Sequence, residues 1–223
     1  MAGVGASAGR NRKKQVAQTG RLLGARALKT RQRLLDATAQ LLVERSVLDI
    51  AVVEIARKAG TSPATFYHYF KDVDEAALAL AEQAADEMPA LVELIDANWS
   101  GRQGLETARS VARAFMEHWS AHHAVLLIRN LSADKGDRRF QQVRRTALAP
   151  VLDHLAARIS EAQEAGRVSP DTHPYAASAA LVSILESLSA HARELQRRNV
   201  SGDQLVETCA RILYQVITGR RAG

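Results

Sequence analysis

A single cysteine, Cys209, stands among the 223 residues, so no disulfide can form within the chain. Its place in an apolar helical pattern suits a buried structural thiol. Aromatic residues make up only 4%, and strand-like β-branched runs are nearly missing, which argues against a sheet-built core. The one exception, residues 47–53, reads as a turn leading into a helix. No apolar run approaches the roughly 20 residues a membrane span needs, and the N-terminus has no apolar signal core. A cytoplasmic protein with no membrane role is therefore expected. Equipment for catalysis is also missing. There is no glycine-rich phosphate loop, no nucleophile elbow and no carboxylate pair at a distinctive spacing. Neither enzymatic activity nor a cofactor is expected.

Acid is absent from residues 1–33, which carry nine basic side chains: Arg10, Arg12, Lys13, Lys14, Arg21, Arg26, Lys29, Arg31 and Arg33. The other 190 residues hold 21 basic against 24 acidic groups, so the net charge of +6 is a local device. Such an arm would neutralise phosphates and make nucleic-acid binding salt-dependent. A solvated tail and a presequence of similar composition are competing readings of the same residues. Gly3, Gly5 and Gly9 follow no strand, so they form no phosphate-binding turn. Elsewhere Ala, Leu and Arg dominate, a mixture that favours helices. The length allows one large or two small domains with a substantial core.

What is present is concentrated in residues 52–71. Val52, Val53, Ile55, Ala56 and Ala59 place apolar groups on one side of a two-turn helix. Gly60 supplies the left-handed backbone that ends it. Ser62 and Pro63 then start another, the hydroxyl capping free amides and the proline having no N–H to leave unpaired. In that second helix Phe66, Tyr69 and Phe70 fall at i, i+3, i+4 and face inward. Ala64, Tyr67 and His68 then face outward, flanked by Thr61 and Thr65. Ala56 is small where the helices cross. This is a helix-turn-helix, in which the second helix reads base edges and the first lies across the backbone.

Thr30 to about Ala79 resembles the DNA-binding domain of the tetracycline-repressor (TetR) family of bacterial transcription regulators. The matching elements are Leu34 to Arg45, Glu54 to Gly60 and Thr61 to Phe70, in the family's order and near the N-terminus. Three departures stand out. Ser46 replaces the usual glycine after the first helix. Ile50 and Ala51 replace the threonine that opens the second helix, which leaves Asp49 as the cap candidate. Val73 replaces the lysine that opens the fourth, with Lys71 the nearby substitute. The resemblance implies an all-α fold, divided into a basic flexible arm (1–27), a three-helix helix-turn-helix DNA-binding domain (28–73), and a helical regulatory, ligand-binding and dimerisation domain (74–223). It implies a homodimeric repressor of a double-stranded DNA operator, released by a small-molecule effector. Thr61, Ser62, Pro63, Ala64, Thr65, Tyr67 and His68 would approach DNA, with Arg31 and Lys71 on phosphates.

Downstream, helices are expected over 74–88, 90–98 beyond a break at Pro89, 104–120, 122–133, 137–165 with a bend at Pro150, 172–198 and 202–218. The last two carry apolar stripes: Ala177, Leu181, Ile184, Leu185 and Leu188, then Leu205, Cys209, Ile212, Leu213 and Val216. Part of each stripe is ordinary core. In the resembled family such helices pair across a two-fold axis, which assigns Leu181, Leu185, Leu188, Leu205, Ile212 and Val216 to a dimer interface.

Phe115, Met116, Trp119, Leu126, Leu127 and Phe140 gather apolar bulk near the polar Arg129 and Asn130, as small-molecule sites do. An aromatic core is the bland reading of the same cluster. The effector expected there is apolar or amphipathic. Glu186, inside an apolar helix, needs Arg129, Arg193 or a ligand amine if buried; a surface-facing position is the simpler reading. His118 and His122 have zinc-binding i, i+4 spacing, with His123 beside them. No Cys, Asp or Glu at matching spacing completes a site, so no metal ligands are assigned. A regulator with no small-molecule effector and a metal-responsive sensor remain as alternatives.

Overall fold

The computed structural model describes residues 24–220, and every regular element among them is helical. The order is α1 (Ala25–Glu44), a 3-10 turn (Val47–Asp49), α2 (Val52–Lys58), α3 (Pro63–Tyr69), α4 (Val73–Ala85), α5 (Met88–Ile95), α6 (Gly101–Asp134), α7 (Arg138–Glu164), α8 (Pro174–Ala190), α9 (Ala192–Arg197) and α10 (Gly202–Thr218). Two compact units divide after Ala76, within α4. No helix among the described residues is long and apolar enough to cross a membrane.

In the first unit α1 buries Leu34, Leu35, Thr38, Leu41 and Leu42. This i, i+3, i+4, i+7 spacing gives a helix one core-facing stripe. α1 begins at Ala25, well before the expected Leu34. Arg26, Lys29, Arg31 and Arg33 therefore ride on a helix, as do residues 25–27 of the expected arm. The remaining basic residues, Arg10 to Arg21, lie outside the described residues. The start of α2 corrects a second expectation. Asp49 belongs to the 3-10 turn, and the Ala51 N–H is instead satisfied by Glu54 Oε2 at 3.1 Å. Arg45 holds the same carboxylate at 2.9 Å.

The second unit is a helical bundle whose core joins Phe115, Trp119, Leu155, Leu185 and Leu213 from four helices. α6 packs on α7, α8 and α10. Pro89 does not interrupt a helix as expected. The break precedes it at Asp86 and Glu87, and Pro89 sits in the first turn of α5, where its missing N–H has no partner to lose. α6 runs through the expected gap at residue 121 but kinks at His122, whose φ/ψ of −116°/20° is not helical. α7 continues through Pro150. The expected helix over 172–198 is divided at His191, whose Nδ1 bonds the Ser187 carbonyl at 2.8 Å. Side-chain competition for that carbonyl suits a helix end. α10 opens with a reciprocal cap: Ser201 Oγ accepts from Gln204 N–H at 3.2 Å and Gln204 Oε1 from Ser201 N–H at 2.8 Å.

One glycine there is required by close approach. A Cβ at Gly104 would lie 2.1 Å from the Trp99 carbonyl oxygen and 2.8 Å from the Tyr214 ring. α6 can start against Trp99 only because residue 104 has no side chain.

Candidate nucleic-acid interface and regulatory core

The α2–α3 turn is fastened from a distance. Gly60 has φ +63°, and Thr61 N–H reaches back to the Ala56 carbonyl at 2.9 Å, closing α2. Arg33 of α1 then donates from Nε to the Ala59 carbonyl and from Nη2 to the Gly60 carbonyl, both at 3.0 Å. A guanidinium on the last carbonyls of a helix satisfies acceptors that have no partner within it. Sequence reading placed Arg33 among phosphate-neutralising residues. Its carbonyl partner lies 26 residues along the chain, and no local pattern announces it.

α3 is built as the spacing requires. Ser62 Oγ accepts from Thr65 N–H at 3.2 Å and lies 3.0 Å from Thr65 Oγ1, with Pro63 at the first position. Phe66, Tyr69 and Phe70 are buried. The other face is open: Ser62, Ala64, Tyr67 and His68 are exposed, with Thr61, Pro63 and Thr65 half-buried beside them. Tyr67 is 54% exposed, its ring edge-on to Phe66 at 5.8 Å. Inward Phe66 thus braces outward Tyr67. The Arg31 guanidinium stacks 5.0 Å from the Phe70 ring centre, and Lys71 is exposed just past the helix. This surface offers hydroxyl, phenol and imidazole groups for base edges, with cations at its margin.

The residues expected to hold an effector do not all converge. Phe115, Trp119 and Leu126 are buried together in one core cluster, with Met116 packed against it. Phe140 is buried but outside that cluster, and Leu127 is exposed. Adjacent residues on a helix point about 100° apart, and here the core-facing stripe of α6 takes Val125 and Leu126 and leaves Leu127 outside it. Glu186 corrects the surface-facing reading. Its Oε1 accepts from Arg129 Nη2 at 2.6 Å and from Asn130 Nδ2 at 3.5 Å, while Arg129 Nε donates to Asn130 Oδ1 at 3.0 Å. A cavity of about 380 Å³ lies elsewhere, lined by Trp99, Arg158, Glu161, Arg167, Thr218 and neighbours, and by none of the expected effector residues.

The interface expectation needs correcting at three positions. Leu181, Leu185 and Leu205 are buried in their own unit's core, with Leu188, Ile212 and Val216 partly buried against it. An apolar stripe shows that a face is covered, but not by what. The outward face of α8 presents Ala176, Ala180, Ser183, Ile184 and Ser187. Cys209 is buried, and burial pushes its thiol up to about 11, as expected of a structural cysteine.

One acidic partner for the histidines was missed. Glu87, the residue just before α5, brings its Oε2 to 2.8 Å from His122 Nε2 and 3.4 Å from His118 Nδ1.

Two family descriptions match this chain: "Bacterial regulatory proteins, tetR family" over residues 34–82 and "Tetracyclin repressor-like, C-terminal domain" over residues 91–223. The chain belongs to the tetR family of bacterial regulatory proteins. Solved structures agree in fold. The regulatory protein TetR from Rhodobacter sphaeroides is 23% identical, with 84% of this chain and 98% of that chain covered and a TM-score of 0.60. A tetR-family regulator from Streptomyces coelicolor is 21% identical, covering 86% and 80%, with a TM-score of 0.60. FadR from Bacillus subtilis, solved in complex with stearoyl-CoA, is 16% identical, covering 85% and 99%, with a TM-score of 0.62.

Proposed function

We propose that this chain is a homodimeric repressor that grips a DNA operator through α3 and lets go when a small molecule binds its second unit. The observation carrying the DNA part is the division of α3. Phe66 and Phe70 anchor it while Tyr67, on the opposite face, stands in solvent. Thr61, Ser62, Ala64, Thr65, Tyr67 and His68 are the groove residues, with Thr65 and Tyr67 foremost. Arg31 and Lys71 serve the phosphates, which fix position and supply salt-dependent affinity.

One such helix touches few bases. Two on a dimer read half-sites about one helical turn apart, roughly 34–36 Å. The outward strip of α8 with Ile184, joined by Ile212 and Val216 of α10, is the pairing surface. Small side chains there permit close helix approach, and Ile184 is an exposed apolar anchor.

An effector releases DNA only by binding more tightly to a form whose reading helices are wrongly spaced. Reversing a strongly biased population takes about 5 kcal/mol of differential affinity. An amphipathic molecule suits the Phe115, Met116 and Trp119 cluster with the Arg129–Glu186 pair beside it, and the FadR relative holds stearoyl-CoA. The tight burial of Phe115, Trp119 and Leu126 favours a second reading in which no effector enters that core.

The experiment is a thermal-shift screen of apolar, amphipathic and anionic metabolites, repeated with DNA from upstream of the gene. A compound that raises the melting point and dissociates the DNA supports release. Stabilisation by DNA with no compound active would leave the effector-free reading.

A further inference from the structure

Three imidazole and carboxylate groups outside the DNA-reading surface converge in the second unit. Glu87 Oε2 lies 2.8 Å from His122 Nε2 and 3.4 Å from His118 Nδ1. All three donor atoms fall within 4.8 Å of one another. They come from two segments. Glu87 stands where α4 has ended and α5 begins, and the histidines occupy successive turns of α6, with His122 at its kink. We propose that Glu87, His118 and His122 bind a divalent transition metal ion of the zinc class.

Geometry and donor chemistry both support this. Bonds of 2.0–2.1 Å to zinc, set tetrahedrally, separate the donors by about 3.3 Å. The Glu87–His118 spacing already matches that value. The Glu87–His122 distance is a hydrogen bond, opening by about half an ångström when an ion replaces the shared proton. His118 and His122 stand with ring centres 5.0 Å apart and planes inclined at 53°. Rings so inclined can aim a nitrogen each at one point, as parallel stacked rings cannot.

Two imidazoles with one carboxylate select zinc, cobalt or nickel over magnesium or calcium, which demand oxygen ligands. Three protein ligands leave a fourth position for water or an exogenous donor. His118 is the most buried of the three and Glu87 the most exposed, so the site is open on its carboxylate side. His123 stands outside the group of converging donors, and its Nε2 bonds the Ala190 carbonyl at 3.0 Å.

The site does not depend on the DNA-reading proposal, and its test uses no DNA. Chelator-treated full-length protein is titrated with Co²⁺ and followed by visible absorption, then back-titrated with Zn²⁺. The expected result is one equivalent of Co²⁺ with ligand-field bands, displaced by Zn²⁺. His122→Ala and Glu87→Gln should each weaken binding at least tenfold. His154→Ala, which alters a separate histidine–aspartate pair, should leave it unchanged. Glu87→Gln keeps the side-chain size at an exposed position, and circular dichroism will show that the variant remains helical. Failure to bind Co²⁺ at micromolar concentration would overturn the site, as would stoichiometric binding that persists in both ligand variants.

Discussion

Arg129 on α6 donates from Nη2 to Glu186 Oε1 on α8 at 2.6 Å, and only 3% of its side chain is exposed against 18% for Glu186. A guanidinium this deep in an apolar bundle is held by its partner: burial pulls its pKa down, and Glu186 opposes the shift. Removing one member strands the other. Arg129→Ala should cost about 3 kcal/mol, the low end for broken buried pairs because Glu186 keeps some water access. The double change Arg129→Met with Glu186→Leu should recover most of the loss. Urea midpoints of the two variants and the wild type check this; a double variant less stable than Arg129→Ala would show that the pair itself supports the fold.

Gly104→Ala places a methyl against the Trp99 carbonyl. Backbone cannot step aside as a flexible side chain would, so a loss on the order of 2 kcal/mol is expected. Gly202→Ala is the control, since nothing stands near a Cβ at that position. Equal thermal shifts for the two would remove the packing argument.

Ile184→Glu puts a charge at the centre of the proposed α8 pairing surface without touching the core. Sedimentation equilibrium should show dimerisation at least a hundredfold weaker, with helix content unchanged. Unaltered dimerisation would move the interface to another face.

Acid should loosen the α6–α10 seam. Arg109, then Arg211, hold the Glu207 carboxyl at about 2, down from 4.5. A carboxylate lowered in the folded state contributes stability above its unfolded pKa and loses it as pH falls through the folded value. The contribution is therefore present above about pH 4.5 and fades toward pH 2. The group is solvent-exposed, so the effect is small. Glu207→Gln should flatten that limb of the melting-temperature profile. An unchanged slope below pH 4.5 would assign the acid loss to other carboxyls.

Helix α3 and its two faces were legible in the sequence because their signals are local. Gly60, Ser62, Pro63 and the Phe66–Phe70 spacing are all decided within one or two turns of backbone. Pro89 misled because the residue is permitted at a helix start as well as being a breaker. Leu181, Leu185 and Leu205 misled because periodicity marks a covered face without naming its cover. Arg33 on the Ala59 and Gly60 carbonyls, and Glu87 against His122 across 35 residues, depend on which segments the fold brings together. Such pairs follow from packing and leave no mark on local pattern.

The α3 surface is the heart of the account, and fluorescence anisotropy on labelled upstream DNA, with scrambled DNA as competitor, tests it most directly. Wild-type protein should bind the upstream fragment specifically and lose affinity steeply between low and moderate salt. Tyr67→Ala should bind it roughly ten- to a hundredfold more weakly, as loss of one groove contact does, while melting at the same temperature. Lys71→Ala should weaken all DNA alike and reduce the salt slope by about one. Equal affinity of wild type and Tyr67→Ala for upstream and scrambled DNA would contradict the reading of α3 as the sequence-selecting helix.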